Sequence, residues 1–403
     1  MFKDISRKLG DIHFTMTGGS LTTTAVTFDK IRGANWNGSI PIVLRLAPTS
    51  LSSPTIPPPI HVLVSRQTYL HVGLRQAVMK FYQFAPPILS FQRSGVRKVI
   101  EEPSPGSGEG GSLSSLQEDD QEDKDEKKLM EKNEKEHATA EANKDESSTS
   151  SSNVSKRLPQ QRHHKEDAYP VCWFEDQATE LPLRWHLFVG VLWDSLHGND
   201  DASQQQAQDP PIPWKIQLHF TSYPSSQLLA IDSGVLWTVE RTYKNSMKQA
   251  LVLQHGHSKV ALNMTKQTHE RLWDSILQSK YALYRPIHGE IQAETVQLLP
   301  LRVLVVVDRS IKPPLQKKCE ATPDLSLGQV LLDWVPEYFE RSTTTNDENV
   351  HNEGNESGIQ VKSSSIIWRV AGIAPPLSAG VIDLWRTLHH PDLFLYIVVL
   401  INY

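Results

Sequence analysis

The sequence predicts an α+β protein in which one plan of strands and helices occurs twice, on either side of a helix-rich segment. Three observations carry that prediction. Ile40, Ile42, Leu44 and Leu46 alternate with Pro41, Val43 and Arg45, and Trp214, Ile216, Leu218 and Phe220 alternate with Lys215, Gln217 and His219; that is the period-two signature of strands with one buried face. Val239, Tyr243, Met247 and Leu251 instead recur every fourth residue, a helical stripe with no strand text beside it. Short texts at two distant helices are also alike: Gly190-Val191-Leu192 leads to Trp193, and Gly380-Val381-Ile382 leads to Trp385.

Taken in order, residues 1–29 are rich in Thr, Gly and Ser and are expected to form a loose arm. The first sheet domain then opens over 30–93: a strand at Ile40–Leu46, a Pro-rich turn at 54–59, a strand at Ile60–Val64, and a helix over 68–82 with Leu70, Leu74, Val78 and Phe81 on one face. Residues 94–167 are Ser, Gly, Glu, Asp and Lys with almost no large apolar side chains. Such a segment cannot bury enough surface to offset its ordering entropy, so it is expected to be a disordered insertion. Its glycines Gly106, Gly108, Gly110 and Gly111 have neither a preceding strand nor a following helix, which argues for a linker over a phosphate loop. The domain resumes over 168–222 with strands at Val171–Phe174 and Leu181–Trp185, a helix over 186–197 ending near Gly198, and the strand from Trp214.

Residues 223–292 read as helical and without a sheet of their own. One helix runs from Val235 to Gly256, capped by Ser233 and stopped by a left-handed Gly256; a second covers about 265–284 and is limited by Pro286. Over 293–403 the first plan returns: a buried strand at Leu301–Val307, a turn and second strand within 312–320, and a helix opened by the capping box of Ser326 and Gln329. A polar loop over 341–364, a strand at Ile366–Ile373, a helix with Val381, Leu384, Trp385 and Leu388, and a strand at Leu393–Ile401 complete it. Two copies of β-β-α-β-α-β follow the element order of ubiquitin-like (β-grasp) domains, an analogy of order alone.

Composition excludes several classes. The net charge of −5 gives no global attraction to nucleic acid. Two cysteines, Cys172 and Cys319, cannot form a disulfide framework and suit a reducing compartment. Met1 to Lys30 has no long apolar core, and the apolar run Leu393–Ile401 is shorter than the roughly 20 residues that cross a bilayer. The protein therefore reads as soluble and cytosolic. No Ser-His-Asp text, nucleotide fingerprint or paired carboxylate stands out, and His255-Gly-His257 has the wrong spacing for two metal ligands on one helix face. No catalytic residue, cofactor or metal site is expected. Cys172 lies in the apolar text Pro170-Val-Cys-Trp-Phe174, where a thiol packs; Cys319 follows Lys317 and Lys318, which could lower its pKa. His389-His390 before Pro391 reads as a helix end favoured by the dipole.

Recognisable text completes the picture. Pro182-Leu-Arg-Trp-His186, Gly190-Val-Leu-Trp-Asp194, Pro213-Trp-Lys-Ile-Gln-Leu-His-Phe220, Met247-Lys248-Gln-Ala250 and Leu272-Trp273-Asp-Ser-Ile276 resemble the autophagy protein 5 family, as do Trp36-Asn-Gly-Ser-Ile-Pro41 and, more weakly, Leu301–Val307, the Leu327 helix and His390-Pro-Asp-Leu-Phe-Leu395. The resemblance covers about 31–93 and 168–402 and implies two ubiquitin-like domains flanking a helix-rich one. It also implies a non-catalytic scaffold that accepts the ubiquitin-like autophagy protein 12 through an isopeptide bond and binds the coiled-coil autophagy protein 16. That assembly would act as an E3-like factor for lipidation of autophagy protein 8, associating peripherally with the preautophagosomal structure membrane. The family's Met/Leu-Lys-x-Ala motif places the acceptor at Lys248, about 100° around the helix from Met247 and beside Lys244. This chain departs from the family in its N-terminal arm, its long insertion, its apolar end and Gln249, where an acidic residue often follows the acceptor. The chain ends Val398-Val-Leu-Ile-Asn-Tyr403, without the terminal glycine a transferred modifier needs, so an acceptor or scaffold is expected. Two other readings compete: a non-conjugated ubiquitin-like interaction adaptor, and a thiol enzyme using Cys319 or Cys172.

Overall fold

The structure is a computed structural model that describes residues 21–52, 55–86, 169–198, 212–231, 234–342 and 358–401. The insertion expected over 94–167 lies outside the described residues. A helix α1 (Leu21–Trp36) precedes β1 (Ser39–Leu46), β2 (Ile60–Ser65), the short α2 (Leu70–Gly73) and α3 (Arg75–Tyr82). Then come β3 (Trp173–Asp176), β4 (Leu181–Pro182), α4 (Val189–His197) and β5 (Trp214–His219). The middle segment holds α5 (Val235–His255), α6 (Lys259–Leu262), α7 (Lys266–Leu277) and α8 (Tyr281–Ile291). The last third holds β6 (Leu301–Val307), β7 (Ser310–Ile311), α9 (Leu327–Trp334), β8 (Phe339–Arg341), β9 (Ile359–Val361), β10 (Ile366–Val370), α10 (Val381–Leu388) and β11 (Leu395–Ile401).

The two sheets share one logic. In the first, ordered β2-β1-β5-β3-β4, the central β1 and β5 run parallel with Leu44 opposite Ile216. In the second, ordered β10-β11-β6-β7, β6 and β11 run parallel with Val303 opposite Ile397. Each first strand thus lies beside each last strand, and the flanking strands β2 and β10 pair with β1 and β11 antiparallel. Most of the alternation that marks β1 in the sequence is the burial pattern observed: Ile40, Ile42, Leu44 and Leu46 enter the core and Arg45 faces out, while Val43 on the other face is buried as well. All seven residues of β11 are buried, as a central strand covered on both faces requires. The fold class is therefore the α+β one expected.

Several local expectations are corrected. The loose arm of 1–29 gives way at Leu21 to α1, although Thr and Gly are poor helix formers. Tertiary packing supplies what propensity does not: Trp36 is buried with its ring centroid 4.7 Å from that of Tyr284, and Asp29 accepts from Tyr281 Oη at 2.6 Å. The helix over 68–82 breaks at buried Leu74 into α2 and α3. The strand Leu181–Trp185 shortens to β4, and Val171–Phe174 shifts to β3. The 265–284 helix is two helices joined through Ser279 at φ 50°, and Pro286 lies inside α8 because buried Tyr284, Ile287, His288 and Ile291 hold that turn in place. Within 312–320 only Leu315 and Glu320 bridge to neighbours, the second strand being β7. The 341–364 loop contributes β9, paired with β8. The strand Ile366–Ile373 ends at Val370, since Ala371 and Gly372 turn the chain at φ 51° and 87°, and Leu393 at φ 67° delays β11.

Candidate functional site around the Lys248 helix

The helix α5 that carries Lys248 is fixed at both ends by backbone geometry. Ser233 lies outside the described residues. Gly234, extended at φ −172°, occupies the cap position, and its carbonyl accepts from Thr238 N at 2.8 Å and Thr238 Oγ1 at 2.7 Å. At the other end Gly256 is left-handed at φ 70°, and its N–H donates to Val252 O at 2.8 Å. The predicted stripe Val239, Tyr243, Met247 and Leu251 is buried, joined by Ser246, Ala250 and Gln254. Lys248, one step from fully buried Met247, is half-buried.

At about 100° per residue, Ser246 stands on one border of the buried face and Lys248 on the other. A polar network clamps the Ser246 border to the second sheet. Ser246 Oγ donates to Asp392 Oδ2 at 2.6 Å, and Tyr396 Oη donates to the same oxygen at 2.8 Å. Arg302 donates to Ser246 Oγ (2.8 Å), Tyr396 Oη (2.9 Å) and Gln249 Oε1 (3.1 Å), and lies 3.5 Å from Asp392 Oδ2. Its guanidinium carbon stands 3.7 Å from the Phe394 ring centroid. Burial pushes the Asp392 carboxyl above its ordinary range, opposed by Arg302 and by the hydrogen bonds from Ser246, Tyr396 and the Phe394 amide. Gln249, the departure from the family pattern, is thus a member of this clamp. The Lys248 border is open: Trp237 (47% exposed) and Val252 (39% exposed) flank it, and Arg241 lies over the Trp237 ring at 4.6 Å. Lys244 donates to Glu240 Oε1 at 2.6 Å, so its charge is offset one turn back.

The structure gives the thiols no nucleophilic setting. Cys172 is buried 3.7 Å from His71 Nδ1, but burial raises the thiol to about 12 and lowers His71 to about 3, so this contact is not a thiolate–imidazolium pair. Cys319 is raised to about 11 by burial and then by Asp333 and Glu320. The lysines expected to lower it are engaged elsewhere: Lys317 donates to Asp333 O and Lys318 to Glu320. His255 bonds Ile291 O at 2.9 Å, and no group of three or more His, Cys, Asp or Glu among the described residues could hold a metal. His389 and His390 are not exposed at a helix end; both are buried and held below the usual imidazole range by that burial. Sequence reasoning passes over the clamp. Its available signal is Arg302, a lone cation in the otherwise apolar strand Leu301–Val307.

Comparison with known proteins agrees with this architecture. Residues 35–94 and 148–220 match the UblA domain of autophagy protein ATG5, residues 237–293 its alpha-helical bundle region, and residues 298–399 its UblB domain. Autophagy protein 5 of Aspergillus oryzae is 24% identical over 265 residues, covering 56% of this chain and 76% of the relative. The Debaryomyces hansenii protein of that name is 22% identical over 253 residues, covering 60% and 79%. The Oryza sativa subsp. japonica protein is 34% identical over 124 residues, covering 30% and 28%. The crystal structure of Kluyveromyces marxianus Atg5 shares the fold with a TM-score of 0.54 at 18% identity, covering 92% of this chain and 99% of that one. With three domain models of one family matched in chain order over more than half its length, this chain belongs to the autophagy protein 5 family.

Proposed function

We propose that Lys248 is the residue through which this autophagy protein becomes joined to the ubiquitin-like autophagy protein 12 by an isopeptide bond. The conjugate binds the coiled-coil autophagy protein 16 and serves, without catalytic residues of its own, as an E3-like factor for lipidation of autophagy protein 8. It works in the cytoplasm and at the preautophagosomal structure membrane. The observation that supports the site is the arrangement of α5. One border is held by Arg302, Ser246 and Asp392, Met247 is fully buried, and Lys248 stands half-buried on the opposite, open border. A lysine so placed has part of its side chain against the packed face and part of it exposed.

The chemistry asks for one amine. Nζ attacks the thioester carbonyl that joins the modifier's C-terminus to its conjugating enzyme; the C–N bond forms, the C–S bond breaks, the enzyme thiol leaves, and the amine sheds its proton. An ammonium has no lone pair, so the neutral amine is the reacting form. The test is Lys248→Arg in cells or in a reconstituted conjugation reaction, read on a denaturing gel. Loss of the higher-mass species with an unchanged unfolding transition is expected. A covalent adduct that persists in the variant overturns the assignment, and absence of any adduct on the natural chain favours the non-conjugated adaptor.

A further inference from the structure

We propose that Arg32, His288 and His389 form an acid-sensitive clasp that holds α1 on the helix-rich segment and the second sheet domain, closed only while both imidazoles are neutral. Arg32 Nη1 lies 3.4 Å from His288 Nδ1, His288 Nε2 lies 3.0 Å from His389 Nε2, and His389 Nδ1 lies 2.8 Å from the His390 carbonyl oxygen. The two imidazole planes are 22° apart with centroids 4.9 Å apart. Arg32 also donates through Nη2 to the Arg386 carbonyl.

The ends of this chain fix its protons. A guanidinium can only donate, so His288 Nδ1 must accept and its proton sits on Nε2. A carbonyl can only accept, so His389 Nδ1 must donate and its Nε2 must offer a lone pair. The single remaining bond therefore runs from His288 Nε2–H to His389 Nε2. A second proton on either ring removes an acceptor the chain needs and sets a cation beside Arg32.

Among the described residues the surroundings offer no compensating anion. From α1, Asp29 is taken by Tyr281 Oη at 2.6 Å and Arg285 at 3.1 Å. From α8, Tyr284 faces His288 with ring centroids 5.2 Å apart, and burial keeps its phenol neutral. From α10 come Asp383, beside Arg386, and Arg386 itself, whose carbonyl receives Arg32. From the turn before β11 come His390, held to about 3 by burial and by Arg66, and Asp392, whose oxygens already accept from Ser246, Tyr396 and the Phe394 amide. From α5, Tyr243 donates to Pro391 O. Neither imidazole of the clasp bonds a carboxylate among the described residues.

The pH dependence follows. Burial, then the neighbouring charges His389 and Arg32, hold His288 well below 6.5; burial, then Arg32, hold His389 well below it. Once α1 lifts away the imidazoles titrate nearer their ordinary value, so docking is complete above about pH 6.5 and weakens as pH falls below it. The opening constant rises about 10-fold per pH unit for each imidazole that regains its ordinary pKa.

Hydrogen exchange of the full chain between pH 7.5 and 5.0, corrected for intrinsic rates, tests this at amides of residues 28–36. The expected result is a rise of about 10- to 100-fold in opening per pH unit below 6.5, with β1 and β11 amides unchanged. Nitrogen chemical shifts at pH 7.5 should show His288 protonated on Nε2 and His389 on Nδ1. His389→Phe should lower the slope by one proton. A pH-independent opening of α1, or the opposite tautomer at either ring, overturns the proposal without any variant.

Discussion

Replacing Arg302 by Met should show how much of the acceptor helix's position depends on the clamp. The side chain keeps its apolar length but loses four donated hydrogen bonds (to Ser246, Tyr396, Gln249 and Gln316), the Phe394 contact, and the only cation within 4 Å of the Asp392 carboxylate among the described residues. Asp392 is fully buried and Arg302 mostly so, with side-chain exposures of 1% and 17%, so solvent screens little of the pair. Breaking such a pair by removing one partner costs about 3–5 kcal/mol. Asp392 keeps the donors Ser246, Tyr396 and the Phe394 amide, so the low end, about 3 kcal/mol, is expected. Thermal unfolding followed by circular dichroism should then move down by about 4 °C, at roughly 1.4 °C per kcal/mol for a unit that spans 1–93 and 165–403. The sign with pH is specific. Asp392 is already raised by burial, and loss of Arg302 raises it further. A carboxyl whose folded pKa lies above its unfolded one contributes most favourably at low pH, when it is protonated in the fold, and loses stability as pH rises through the folded pKa. The difference between Arg302→Met and the natural chain should therefore shrink from pH 8 to pH 5. Adding Asp392→Asn should recover about 1 kcal/mol, because no bare charge remains. A loss below about 1 kcal/mol at pH 7, or one that does not shrink toward pH 5, refutes this account of the clamp.

Other outcomes follow from the same contacts. Cys172→Ser and Cys319→Ser should leave conjugate formation intact, and both natural thiols should resist alkylation at pH 8 while the chain is folded, since burial lifts them to about 12 and about 11. Gly256→Ala forces a side chain into φ 70° and drives its Cβ into the Gln297 amide, so a loss of about 1–2 kcal/mol is expected in urea unfolding. Trp237→Ser, on the half-exposed flank of α5, removes the ring under Arg241 and should cost about 1 kcal/mol in urea unfolding.

The element types, the repeated plan and the Lys248 helix were legible in the sequence because they rest on periodicity, which is local. The stripe from Val239 to Leu251 and the alternation from Ile40 to Leu46 state which face is buried without reference to any partner. The resemblance named Lys248 as a residue, but only packing decides that it stands on the border away from the Arg302 clamp. Long-range contacts decided the rest. Poor helix formers in α1 are held by Trp36 and Asp29 against Tyr284 and Tyr281, more than 240 residues away, and Pro286 stays inside α8 because its neighbours are buried. His389 and His390 read as a charged helix end from their position, yet His288 of α8 bonds His389, and Phe188 and Tyr396 pack against the His390 ring. A histidine's proton count depends on what surrounds it in space, and the chain's order does not encode that directly.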